Sequence, residues 1–223
     1  MNVNNYNKLV NGLSKYITPF TSFVGPSLYF HQKALEWQQK DFLSERHIEY
    51  VYATLVAWGM HRMGAKGAKM PNFDDFKASI IANKEVLEKL RDKQIENITI
   101  NEIDSIIEEL SVVCFSIRGS NSKSHLVSGS KTLAHILPNL VCPMDRQYTY
   151  NFFETRSTDT EKDIFKCVMR AMWDFYQNLN NLEFVISLKG QTFNENYPKI
   201  FDNLIIEYVH KNLPKESKKQ KKS

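Results

Sequence analysis

Between Thr99 and Gly119 the chain places Ile103, Ile106, Ile107, Leu110, Val113, Cys114 and Ile117 three and four residues apart. That spacing puts all seven on one face of an α-helix and on no common face of a strand. Thr99 with Glu102 three residues later is a capping box for its start, and Gly119 is its stop. The same pattern returns along most of the chain. Leu9, Leu13, Tyr16 and Ile17 form a stripe stopped by Pro19, and Ser27 opens a helix carrying Phe30, Ala34 and Trp37. Ser44 opens a longer one through Ile48, Val51, Leu55 and Trp58, which Gly64 ends. Asn72 with Asp74 and Asp75 starts another, TEKDIFKCVMRAMWDFYQNL is a long amphipathic helix, and Pro198 stands in the first turn of a last one. The only strand-like run is FVISL, residues 184–188, which has nothing to pair with. The spacing therefore predicts an all-α chain.

At 223 residues and 42% hydrophobic, the chain can bury one sizeable core or two small helical lobes that share a cleft. Residues 1–213 read as one domain. Residues 214–223 read as a disordered basic tail in which five lysines against Glu216 carry the entire net charge of +4. The neutral body weakens a charge-only argument for nucleic acid, although a local basic patch suffices. No apolar run approaches the roughly eighteen residues of a membrane span, and MNVNNYNKLVNG lacks the layout of a secretion signal. A cytoplasmic or nuclear protein with no membrane partner is expected. Cys114, Cys142 and Cys167 match no metal spacing, no His-Glu-x-x-His occurs, and neither a metal nor another cofactor is expected.

The stretch that invites chemistry is GSKTLAHILPNLVCPMDRQ, residues 129–147. It is not a phosphate-binding P-loop, because Ser130 and His125 stand where that motif needs glycines. Ser128 and Lys131 have the Ser-x-x-Lys spacing of penicillin-binding enzymes, but their companion motifs are missing. What remains is Lys131 at the head of a short helix and Asp145 fourteen residues on, placed to N-cap the next helix. If Pro138 ends the first helix and residues 138–144 fold back, two helix N-termini face one another. Burial there would lower the Lys131 pKa toward a nucleophilic amine, and Asp145 could accept its proton. The bland alternatives are an exposed first-turn lysine and a plain N-cap, and capping does not exclude catalysis. Trp58, Met60, His61 and Arg62 read as core packing with a solvated arginine, the alternative being the wall of a base-binding cleft.

The run LVSGSKTLAHILPNLVCPMDRQYT resembles the centre of the helix-hairpin-helix DNA glycosylases, the endonuclease III and 8-oxoguanine glycosylase group. Lys131-Thr132-Leu133-Ala134 matches that family's lysine-bearing helix start, and Pro143-Met144-Asp145 its aspartate motif. The resemblance implies a compact, two-lobed helical fold with a helix-hairpin-helix element, double-stranded DNA carrying a lesion in the cleft, and a flipped base in a pocket. It further implies Lys131 as the nucleophile at sugar C1′, Asp145 as its acid/base partner, and Ser128, Gly129 and Ser130 turning backbone N–H groups toward a phosphate. Arg146 is either a phosphate contact or an ordinary first-turn arginine. A monomer is expected. The rival readings are a non-catalytic nucleic-acid binder of the same architecture and a helical protein-interaction module.

Overall fold

The computed structural model describes residues 4–16, 24–64, 67–122, 124–177, 187 and 194–213. Pro19, the FVISL run apart from Ser187, and the basic tail lie outside these residues. The chain is all-α, with ten α-helices among the described residues: α1 Asn4–Asn11, α2 Pro26–Lys40, α3 Glu45–Ala57, α4 Phe73–Ile81, α5 Lys84–Leu90, α6 Ile103–Ser116, α7 Leu126–Ile136, α8 Thr149–Phe153, α9 Glu161–Gln177 and α10 Tyr197–Asn212. A two-residue antiparallel pair, β1 Met63–Gly64 with β2 Gly67–Ala68, follows α3. None of the described helices is long and apolar enough to cross a membrane.

Several helix starts follow the residues that encode them. The Ser44 hydroxyl accepts the His47 N–H at 3.2 Å, and the Asn72 side chain accepts the Asp75 N–H at 2.8 Å. Each satisfies one of the N–H groups that a helix start leaves without an internal partner. At Glu102 the capping is one-sided. Its carboxylate accepts from both the Thr99 N–H and the Thr99 hydroxyl, and the helix proper begins one residue later.

The start of α2 and the end of α3 differ from expectation. Helix α2 begins at Pro26, whose fixed φ suits a first helical position, and Ser27 instead donates to the Ala57 carbonyl of α3. Helix α3 ends not at Gly64 but with Trp58 as C-cap and Gly59 at φ +75°. The Gly59 N–H reaches Val56 O and the Met60 N–H reaches Leu55 O, which is the paired closure that a left-handed glycine permits. Trp58 then stands beside α7, its ring centroid 4.9 Å from that of His135.

One continuous apolar core runs from Leu9 of α1 to Val209 of α10. Helix α7 lies within it, packed against α2, α3, α6 and α9. Its Leu126, Leu133 and Ile136 are fully buried, and each such side chain stabilises the fold by roughly 1.5–3 kcal/mol. Its small residues allow close neighbours. A Cβ on Gly129 would sit 2.2 Å from the Cys114 carbonyl oxygen, so α6 and α7 cross at a distance only glycine tolerates. Gly119 serves a similar purpose rather than ending α6, since a Cβ there would lie 2.6 Å from that of Ser128.

These facts correct the assignment of Ser128, Gly129 and Ser130 to a phosphate-gripping hairpin turn. All three are helical and buried, and the Gly129 N–H is spent on the His125 carbonyl at 2.8 Å. Helix α7 starts at Leu126, so Lys131 stands in its second turn and not at its head.

Candidate functional site

The N-terminus of α7 carries an anion, and the chain supplies it. Glu161, the first residue of α9, accepts the His125 and Leu126 N–H groups at 2.8 and 3.0 Å, and the Ser124 hydroxyl donates to its other oxygen. Burial pulls this carboxyl upward, but those three donors, with Arg146 nearby, outweigh it and hold the acid below its usual range. The place where a helix would bind phosphate is already filled.

The other end of α7 answers the geometric question raised by Pro138. The helix stops at Ile136 with Leu137 as C-cap, because a proline one residue further cannot continue it. Residues 140–144 then return through the core, all of them buried. The Ser130 hydroxyl pins this return by accepting the Met144 N–H at 3.1 Å. The next residue is Asp145. Its Oδ1 accepts the Tyr148 N–H at 2.7 Å, while its own N–H donates to the Thr149 hydroxyl at 3.0 Å. The aspartate therefore caps the turn that leads into α8, with α8 itself starting at Thr149.

Lys131 and Asp145 line the same two cavities. The outer one, about 350 Å³, is open to solvent, and Arg62, Lys69, Arg146 and a run of serines complete its rim. The inner one, about 130 Å³, is lined by Tyr148, Pro143 and Met144 together with Lys199, Asp202 and His210 of α10. Trp58 belongs to both. The Lys131 ammonium lies 5.6 Å from the centroid of its indole ring, a cation–π contact. Among the described residues it has no hydrogen-bonding or ion-pairing partner. Burial is the main influence on the Lys131 amine and lowers its pKa. Asp145 and Asp202 work against that shift, and Lys199 adds to it.

Below Lys131, three histidines fix the buried flank of α7. The Lys131 carbonyl can only accept, so at 2.7 Å His135 Nδ1 must carry the proton. His135 Nε2 is then the acceptor for His31 Nδ1–H at 3.0 Å. His47 Nδ1 accepts the Leu43 N–H, which leaves its Nε2–H to donate to the His135 carbonyl at 3.3 Å. Burial holds His47 at about 4 and pushes His135 well below the usual imidazole value, so both are neutral.

Of the residues singled out from the sequence, Lys131, Asp145 and Arg146 meet at one opening. Ser128 touches it from within α7, and Gly129 and Ser130 are packed away. Trp58 lines the cleft, Met60 lines it while packing against the core, and Arg62 is the solvated arginine the sequence suggested, standing at the cleft's rim. Lys69, Tyr148, Lys199, Asp202 and His210 were missed. Lys199 and Asp202 stand three residues apart, a spacing that a surface helical ion pair shares, and only the tertiary fold shows them to be 5% and 8% exposed. Phe152 and Phe153 pack the core, whereas the Tyr148 hydroxyl lies 3.0 Å from His210 Nε2 beside the inner cavity. The chain matches no protein-family model, no curated protein and no solved structure.

Proposed function

We propose that the chain acts on a modified base or abasic site in double-stranded DNA, with Lys131 as nucleophile and Asp145 as its acid/base partner. One observation carries the reading: an amine that burial makes less basic, without an ion-pair partner among the described residues, shares two adjoining cavities, each bordered by Trp58, with a carboxylate. In the reaction the neutral Lys131 Nζ attacks the sugar C1′. The C1′–N bond breaks, its electrons leave with the base, and the base takes up a proton. Loss of the amine proton and opening of the sugar then give a protonated Schiff base, with Asp145 carrying protons.

The inner cavity suits a base lifted out of the stack, because Trp58 and Tyr148 offer it aromatic surface. The outer rim suits the strand that carries it. Arg62, Lys69 and Arg146 make no ion pair among the described residues, and they take over the phosphate contacts that the buried Ser128, Gly129 and Ser130 do not provide. A monomer suffices for this arrangement, since one chain supplies every group named.

Borohydride reduction of mixtures with oligonucleotides carrying damaged bases or abasic sites is the test. A covalent adduct at Lys131, lost in Lys131→Ala, is the expected result. Strong, salt-dependent duplex binding with neither adduct nor base release across a broad lesion panel would overturn the enzymatic reading in favour of a non-catalytic binder.

A further inference from the structure

The inner cavity holds a second amine. Lys199 Nζ lies 5.9 Å from the centroid of the same Trp58 ring that Lys131 approaches to 5.6 Å. The two amines are nevertheless set differently. Lys199 is paired with Asp202 at 2.5 Å, one turn along α10 and itself buried, whereas Lys131 faces the cavities without such a pair. Two aligned cations in one small, poorly solvated space repel each other, and a carboxylate beside one of them decides how much of that repulsion the other feels.

We propose that the Lys199–Asp202 pair is a positioning element that sets the charge of Lys131, and so the fraction of that amine available as a nucleophile. The inference rests on the nucleophile reading of Lys131 for its purpose, but not for its test. Among the described residues, the other ionisable groups around Lys131 come from several elements. Asp145, Arg146 and Tyr148 come from the turn before α8, His210 from α10, Arg62 and Lys69 from the far rim, and the neutral His135 from α7 itself. Among the described residues, Lys199 and Asp202 alone form a buried ion pair lining the inner cavity.

Opposite changes in the pair should therefore act oppositely. Lys199→Met removes a repelling cation and leaves a carboxylate, so Lys131 should hold its proton to higher pH. Asp202→Asn removes the neutralising carboxylate, so Lys131 should lose its proton at lower pH. The measurement is pulse acetylation of the full chain with acetic anhydride at graded pH, read at Lys131 by peptide mass spectrometry, with thermal melting to show that each variant is folded. Shifts of the labelling midpoint in opposite directions are expected. Shifts in the same direction, or none, would reduce the pair to a structural contact and overturn the proposal. Should either variant fail to fold, the wild-type chain still decides: a Lys131 midpoint equal to that of the chain's exposed lysines overturns it, and a lower one together with the surviving variant's shift supports it.

Borohydride trapping on abasic DNA, run in parallel, keeps the two ideas apart. Divergent midpoints without an adduct would sink the enzymatic reading alone. An adduct with unmoved midpoints would sink this one alone.

Discussion

Helices α7 and α8 are both introduced by a carboxylate, and the two carboxylates are used in opposite ways. Glu161 arrives from α9, 35 residues beyond Leu126, and spends both oxygens on the Ser124–Leu126 segment. Asp145 is local to α8, and its Oδ1 holds the Tyr148 N–H while the residue borders both cavities. The first seals a helix end that would otherwise attract a phosphate. The second anchors a turn and still faces the open space. A carboxylate at a helix start is thus no guide to function until its remaining neighbours are known.

The contrast breaks most sharply at Asp145. Asp145→Asn keeps an oxygen for the Tyr148 N–H, so stability should change by less than about 0.5 kcal/mol. If the residue carries protons, borohydride trapping should nevertheless slow by about 10²–10⁴-fold. A trapping rate unchanged from wild type would leave Asp145 as a cap and nothing more.

Acid should act next, on the buried flank of α7. His47 has a folded pKa of about 4, below its ordinary 6.5, so the unfolded chain binds the proton first and stability falls as pH drops through that interval. The loss from His47 alone is roughly 3 kcal/mol, complete below about pH 4. Chemical denaturation at stepped pH should show this slope, reduced in His47→Gln; a flat profile between 6.5 and 4 would refute the neutral-histidine arrangement.

At the start of α7, Gly129→Ala should cost about 2–3 kcal/mol, because its new methyl meets the backbone oxygen of Cys114 and the helices must part. Glu161→Gln should cost less, about 1–2 kcal/mol, since an oxygen remains for the Leu126 and His125 N–H groups but the charge assistance goes. Urea unfolding of both variants orders the two effects, and the reverse order would mean that the cap, rather than the crossing, holds α7 in place.

What could be read from the sequence divides along the same line between local and distant. Ser44, Asn72 and Pro198 announce their helices because each acts on N–H groups or dihedrals within a few residues of itself. The meeting of Lys131 with Asp145 was legible for a similar reason, since Pro138 and a short return leave the chain few other routes. The start of α7 was not legible. Its cap comes from another helix, and nothing in SNSKSH shows that the helix begins at Leu126. With that start misplaced by about one turn, Gly129 was taken for a turn residue when it is a crossing point, and its spacing looks alike in both roles. Lys199 and Asp202 were hidden by composition, because charged residues on a helix are ordinarily its wet face.

The close crossing at Gly129 has a bearing on the chain's sulfur chemistry. The Cys114 thiol lies 2.8 Å from the point a Gly129 Cβ would occupy, is fully buried, and is driven by that burial far toward its protonated, unreactive form. No alkylating reagent reaches it unless α6 and α7 separate. Cys114 is thereby a native reporter of the crossing: the rate at which it becomes modifiable measures how often the middle of the molecule opens, and with it how often the helix bearing Lys131 loses its support.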